Sequence, residues 1–336
     1  MRLLVTGGAG FIGSHFVRTV LEGGYPGHED TRVTVFDKLT YAGNRANLPA
    51  AHPKLEFVRG DVCDGRLLRE VLPGHDAVLH FAAESHVDRS VDSAREFVRT
   101  NVGGTQELLE ACLATGVDRV VHISTDEVYG SITEGSWTED RPLLPNSPYA
   151  ASKASSDLIA RAYWRTHGLD VSITRCSNNY GPYQHPEKVI PLFTTQLLEG
   201  KQVPLYGDGR NVREWLHVDD HCRALTLVLD KGRAGEIYNV GGGNEQTNRH
   251  LTERLLELCG ADRSMVREVA DRKGHDLRYA LDERKIREEL GYAPRVPFEK
   301  GLAETVAWYR DNPGWWTPVK YRRDELARQG AEGSTS

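Results

Sequence analysis

The stretch Thr6-Gly7-Gly8-Ala9-Gly10-Phe11-Ile12-Gly13 leaves this chain little choice of fold. It follows a short apolar run, Arg2 to Thr6, and leads into residues with helical apolar spacing: Phe11, Ile12, Phe16, Val17, Val20 and Leu21. Gly8-x-Gly10-x-x-Gly13 fits the dinucleotide fingerprint, and Gly7-x-x-Gly10-x-x-Gly13 fits its spaced variant. Glycine permits the tight turn and the close approach of a pyrophosphate, which then rests on the positive end of the helix at Phe11 and Ile12. The next apolar run, Arg32 to Phe36, ends at Asp37, an acid placed to accept hydrogen bonds from the adenosine ribose. A 2′-phosphate there would meet a like charge, costing ~1–4 kcal/mol for effective dielectrics of about 80 down to about 20. NAD is therefore expected over NADP, with the neighbouring Lys38 acting against that preference.

Further short runs, Leu55 to Val58, Ala77 to Phe81 and Arg119 to Ser124, predict three more strands. They run apolar without a polar face and alternate with helical segments. One of these is a long helix from about 94 to 115, with Phe97, Asn101, Leu108 and Cys112 on one stripe. That pattern predicts an α/β fold of Rossmann type, a doubly wound parallel sheet covered on both sides. After Tyr180, prolines and glycines punctuate shorter elements. We expect a dinucleotide-binding domain over 1–180, with 217–240 free to return to it, a smaller region over 181–325, and a disordered tail over 326–336.

A net charge of −6 with interspersed arginines excludes a concentrated basic surface for nucleic acid or anionic membrane. No apolar run approaches the ~20 residues of a membrane helix, and no leader-like segment opens the chain. The five cysteines, Cys63, Cys112, Cys176, Cys222 and Cys259, are scattered and odd in number, which fits reduced thiols, no metal framework and a cytoplasmic protein.

The chemistry is carried by two further groups. Ser147-Pro148 reads as a helix start, which puts Tyr149 and Lys153 one turn apart on one face. The ammonium and the helix N-terminus both favour tyrosinate there, so the phenol becomes a base near neutral pH. Thr125-Asp126-Glu127 follows the fifth strand, at the carboxyl edge where doubly wound sheets bind ligands. Two carboxyls crowded on one substrate titrate apart, giving one acid and one base. Neighbours on an ideal strand point to opposite faces, so both act together only if the chain has already left the strand. Asp61-Val62, after the third strand, suits the adenine edge, while Asp61 reads equally as a helix cap. Asn178, Glu187, Lys188, Arg213, Arg272 and His275 are polar or charged candidates of the kind that a diphosphate requires.

Together with Phe81 to Ser90, Ser124 to Gly130, Gly207 to Trp215 and Asp271 to Tyr279, these motifs carry a resemblance along nearly the whole chain. It resembles the dTDP-glucose 4,6-dehydratase family of the extended short-chain dehydrogenases/reductases, most specifically in Ser-Thr-Asp-Glu-Val-Tyr-Gly. Lys273 departs from the proline usual in that family.

The resemblance implies a lyase in which Tyr149, assisted by Thr125 and Lys153, serves C4 oxidation by NAD. Glu127 then takes the C5 proton and Asp126 protonates the departing C6 hydroxyl. It also implies that Lys38, Ala82, Ala83, Ser85 and Thr100 line the cofactor, and that Ser85 lies near the sugar. Asn178, Glu187, Lys188, Arg213, Asn248, Arg272 and His275 would hold the nucleotide diphosphate, with 181–325 as the sugar-nucleotide region. A homodimer paired through the helices around Phe97–Cys112 and after Tyr149 is likewise implied. A sugar-nucleotide 4-epimerase would share Tyr149, Lys153 and NAD but has no task for Asp126 and Glu127. A non-catalytic NAD sensor would have no need of Tyr149 and Lys153.

Overall fold

The computed structural model describes residues 1–117, 119–271 and 275–321. The expected tail over 326–336, Lys273 and Arg272 lie outside the described residues. Six strands and six helices lead to the site. They are β1 (Arg2–Thr6), α1 (Phe11–Leu21), β2 (Arg32–Asp37), β3 (Leu55–Arg59), α2 (Gly65–Val71), β4 (Ala77–His80), α3 (Val87–Asp92), α4 (Arg95–Phe97), α5 (Thr105–Thr115), β5 (Arg119–Thr125), α6 (Pro148–His167) and β6 (Asp170–Cys176). A seventh strand, Ile237–Val240, pairs with β6. The seven-stranded sheet runs Ile237–Val240, β6, β5, β4, β1, β2, β3, and its pairings are parallel.

Parallel strands are buried on both faces, and two separate apolar clusters show why these runs lack alternation. One packs Leu3, Val5, Val33 and Val35 against Phe16, Val17 and Val20 of α1 and Leu225 and Val228 of the helix Val218–Lys231. The other packs Leu4, Val78, Val120, Val171 and Ile173 against Leu68, Leu108, Cys112 and Ala160 from α2, α5 and α6. Successive strand residues point to opposite sides, so each strand feeds both clusters.

The expected long helix is present with a difference. Between α4 and α5, residues Val98–Gly104 form a wider π-helical stretch. Phe97, Asn101, Leu108 and Cys112 are all buried, so the stripe survives the inserted turn. Such π segments frequently mark functional positions. Thr100 lies in this one.

Among the described residues the chain divides into two compact units: 1–179, 211–245 and 275–296 form one, and 180–210, 246–271 and 297–321 the other. The first contains the seven-stranded sheet. The second contains the helices Val189–Leu198, Asn248–Cys259 and Phe298–Asp311 and the parallel strand pair Val203–Tyr206 and Val266–Val269. No helix among the described residues is long and apolar enough to cross a membrane.

Candidate active site

The glycine turn is built to receive something close to its backbone. Gly7 takes φ +67°, and a Cβ there would lie 2.6 Å from the Ala82 nitrogen. At Gly13 a Cβ would sit 2.6 Å from the Gly7 carbonyl oxygen. Gly10 begins α1 with no side chain capping it, so the first-turn N–H groups around Phe11, Ile12 and Gly13 present an anion site. This cradle fits a dinucleotide pyrophosphate.

Asp37 ends β2 beside that cradle and is buried. Its Oδ2 accepts from the Ala9 N–H at 2.9 Å and its Oδ1 from the Leu39 N–H at 2.7 Å. Leu39 adopts φ +58°, a conformation that side-chain-bearing residues rarely take, and the turn aims its N–H at the carboxylate. Burial raises the Asp37 pKa while the two N–H donors lower it. The carboxylate keeps lone pairs for ribose hydroxyls. Lys38 turns away to an ion pair with Asp61 at 2.8 Å, so its charge is answered elsewhere. Asp61 also accepts from the Cys63 N–H at 3.0 Å, and the cap of α2 is Asp64. Burial raises the Asp61 pKa, but the Lys38 and Cys63 contacts lower it below its ordinary value. Val62, buried, packs at Gly104.

Beyond β4, the Ala82 N–H donates to Thr6 Oγ1 at 3.3 Å, and Ala83 and Ser85 continue the same exit at the sheet's carboxyl edge. Asn101, which the sequence offered only as a stripe position, holds this segment. Its Oδ1 accepts from the Glu84 N–H at 2.8 Å, and its Nδ2 donates to the Glu84 carbonyl at 3.0 Å and to Ser152 Oγ at 2.8 Å. One buried amide thus joins the β4 exit, the π stretch and α6.

The catalytic candidates converge where β5 ends. Asp126–Tyr129 form a 3-10 turn directly after β5, so the chain has left the strand before the acidic pair begins. At about 120° per residue, Asp126 and Glu127 are no longer forced to opposite faces. Thr125 caps the turn, its Oγ1 accepting from the Glu127 N–H at 3.3 Å and donating to Asp126 Oδ1 at 3.2 Å. Asp126 is 1% exposed and its Oδ2 has no partner. Burial, then the charges of Glu127 and Glu214, push its pKa well above the carboxylate range. Asp126 is a carboxylic acid poised to donate.

Ser147 accepts from the Ala150 N–H at 3.1 Å and Pro148 opens α6, the start read from the sequence. Tyr149 and Lys153 both fall on the buried face. Lys153 Nζ donates to the Ile123 carbonyl at 2.7 Å, and burial lowers its pKa to about 8. The tyrosinate expected from the sequence is not the resting form. Burial, then the carboxyls of Glu127 and Asp126, hold the Tyr149 phenol well above its ordinary pKa, and a Thr125 hydrogen bond offsets this only in part. The neutral form of Asp126 removes one of those two opposing charges.

Arg213 is buried and donates to the carbonyls of Val212 at 2.7 Å and Asp276 at 2.9 Å, with its guanidinium 4.4 Å from the Tyr279 ring centre. Its charge reaches Asp126. Asn178 keeps a buried Oδ1 without a partner, and His275 belongs to the same unit. Glu187, Lys188 and Asn248 belong to the second unit; Lys188 precedes the helix Val189–Leu198, and Asn248 opens the helix Asn248–Cys259. Glu214 was not foreseen. It is buried and accepts from the N–H groups of Gly242, Gly243 and Leu281.

The sequence pattern of the GDP-mannose 4,6 dehydratase family matches residues 4–305. A dTDP-glucose 4,6-dehydratase of Streptomyces niveus is 62% identical over 335 residues, spanning 99% of this chain and 100% of that one. DesIV, a dTDP-glucose 4,6-dehydratase of Streptomyces venezuelae solved with NAD bound, is 68% identical over 95% of this chain and 100% of that one, with a TM-score of 0.94. A UDP-glucose 4-epimerase of Thermotoga maritima, solved with UDP-glucose, is 35% identical over 93% of this chain and 100% of that one, with a TM-score of 0.85. The chain belongs to the GDP-mannose 4,6 dehydratase family.

If Asp37 selects against a 2′-phosphate, Asp37→Asn should narrow the preference for NAD⁺ over NADP⁺ by about tenfold or more. Binding of each dinucleotide to the stripped protein, measured by calorimetry, checks this. An unchanged ratio contradicts the assignment.

Proposed function

We propose that this chain is an NAD-dependent hydro-lyase that converts dTDP-glucose to dTDP-4-keto-6-deoxyglucose. The observation that carries the reading is the buried Asp126 in the 3-10 turn at the end of β5, next to Glu127, where burial and the neighbouring carboxyls favour its protonated form. Epimerisation at C4 gives the Asp126–Glu127 pair nothing to do. The relatives named above favour the thymidine nucleotide, and NAD in the DesIV structure favours that cofactor.

Bound NAD would supply the hydride acceptor and donor for the same turnover. The glycine cradle and Asp37 would hold its pyrophosphate and ribose, with Lys38, Asp61, Val62, Ala82, Ala83, Ser85 and Thr100 around it. With Thr125 and Lys153 stabilising the anion, Tyr149 would enter the reaction as the tyrosinate, its phenol proton lost beforehand, and accept the proton of the C4 hydroxyl. The C4 ketone acidifies C5, whose proton passes to Glu127. Asp126 gives its proton to the departing C6 oxygen, and water leaves. Glu127 returns a proton to C5, and the proton held by Tyr149 replaces the one Asp126 lost, so the cycle closes without an outside acid. Asn178, Glu187, Lys188, Arg213, Asn248, Arg272 and His275 would bind the nucleotide diphosphate. Five free cysteines and a nucleotide-sugar substrate support a cytoplasmic location.

Glu127→Gln should cut dehydration by ~10²–10⁴-fold while C4 oxidation persists, seen as absorbance of the reduced dinucleotide. Tyr149→Phe should suppress oxidation itself. Product mass with dTDP-glucose and UDP-glucose reports dehydration and nucleotide preference together. Dehydration by Glu127→Gln at the wild-type rate would defeat the role given to Glu127.

We also infer an isologous homodimer through α5 and α6, supported by the exposed apolar side chains Leu113 and Leu158. Light scattering at micromolar concentration should give twice the chain mass; a monomer contradicts it.

A further inference from the structure

A buried charged cluster behind Lys153 has no task in the mechanism above. Asp157 lies one turn after Lys153 on the same face of α6, and the two side chains are 1% and 5% exposed. Asp157 Oδ2 accepts from Arg175 Nε at 2.9 Å, and its Oδ1 is 3.4 Å from His122 Nε2. His122 continues the face of Val120 on β5, and Arg175 that of Val171 and Ile173 on β6, the face covered by α5 and α6. The residue after His122 is Ile123, whose carbonyl holds the Lys153 ammonium. Arg175 is fixed in turn, donating to Tyr129 Oη at 2.8 Å, and that hydroxyl donates to Asn239 Oδ1 at 2.8 Å. Well-packed apolar side chains of the same volume often stabilise a fold as well as a buried ion pair does. The pair therefore calls for a role besides stability.

We propose that Asp157 is a positioning residue for the site, its carboxylate held by Arg175 to serve as the fixed counter-charge that keeps buried Lys153 an ammonium. This rests on the reading of Lys153 as part of the active site. The electrostatics agree. Burial lowers the Lys153 pKa to about 8, and Asp157 is the leading influence that raises it. Burial alone would raise the Asp157 pKa, but Arg175 and then His122 hold it at about 2, so the counter-charge is always present at working pH.

The other groups around Lys153 do not replace it. From β4 comes His80, its ring tilted against that of His122 with centres 5.4 Å apart, and burial lowers the pKa of both imidazoles, leaving them neutral. From β6 comes Cys176, its thiol raised to about 12 by burial. From the turn after β5 come Asp126, held neutral, and Glu127; from α6 itself comes Tyr149. α3 presents Ser90 to the Tyr149 N–H at 3.1 Å, and the π stretch presents Asn101 to Ser152.

An ammonium is lost as pH rises through its pKa, so a weaker counter-charge moves the alkaline limb of activity to lower pH. In Asp157→Asn the alkaline limb of kcat/KM should fall by about one pH unit or more. In Arg175→Met, which removes the main group that keeps Asp157 charged, it should move the same way by a smaller amount. A merely structural role lowers activity across the profile and moves neither limb. Should a single variant fail to fold, Asp157→Asn/Arg175→Met removes both charges and should still show the acid-ward shift.

A readout independent of turnover comes from ¹³Cε-lysine NMR of the full chain, with the Lys153 signal assigned through Lys153→Arg. Its titration midpoint should fall in Asp157→Asn and in the double variant. Unmoved midpoints and limbs overturn the proposal. A wild-type protein without dehydratase turnover, but with the expected NMR shift, overturns the functional reading and leaves the counter-charge standing.

Discussion

The hydrogen bond from Lys153 Nζ to the Ile123 carbonyl, 2.7 Å long, is the joint on which the site depends. It fixes the first turn of α6 against the last turn-ward residues of β5. The proposed catalytic side chains lie within a few residues of its two ends: Thr125, Asp126 and Glu127 on one side, Tyr149 on the other. Both partners are buried, so the bond forms where water does not compete and where an unmade bond would be costly. The sheet supplies the fixed point, because the interior strands β4, β5 and β6 pair in a continuous parallel register. The helix supplies the reach, because residues four apart share one face.

Around that joint the charges are set by neighbours more than by burial or residue type. Asp126 and Asp157 are the same residue type, buried to the same extent, and are driven in opposite directions. Asp126 faces other carboxyls and stays protonated, whereas Asp157 faces a guanidinium and stays charged. One side-chain type thus becomes a neutral acid or a fixed anion by changing its neighbours. Tyr149 shows the converse. Its phenol is kept from ionising first by burial and then by the Glu127 and Asp126 carboxyls, so proton positions at Tyr149 and Asp126 are coupled.

Local signals made much of this legible in the sequence. The glycine turn, the apolar runs of β1 to β5 and the Ser147-Pro148 start of α6 each depend on residues close in the chain, and each formed where the pattern placed it. The acidic pair was visible as a motif, but the 3-10 turn that lets both side chains act together was only a stated condition. What the sequence left dark were partners far apart in the chain. Asn101 with Ser152, Asp157 with Arg175, and Glu214 with Leu281 are each joined across elements, and no spacing rule connects them. The same distance explains the error over Tyr149. The helix pattern showed the nearby lysine, while the opposing carboxyls arrive from another strand end.

The central claim is that one closed site oxidises C4, eliminates water across C5 and C6, and sends the same hydride to C6. It is tested most directly by placing deuterium at C4 of dTDP-glucose and locating it in the product by NMR and mass spectrometry. The account requires deuterium in the C6 methyl group and solvent hydrogen at C5. Deuterium retained at C4, or lost from the sugar to free dinucleotide, would contradict it.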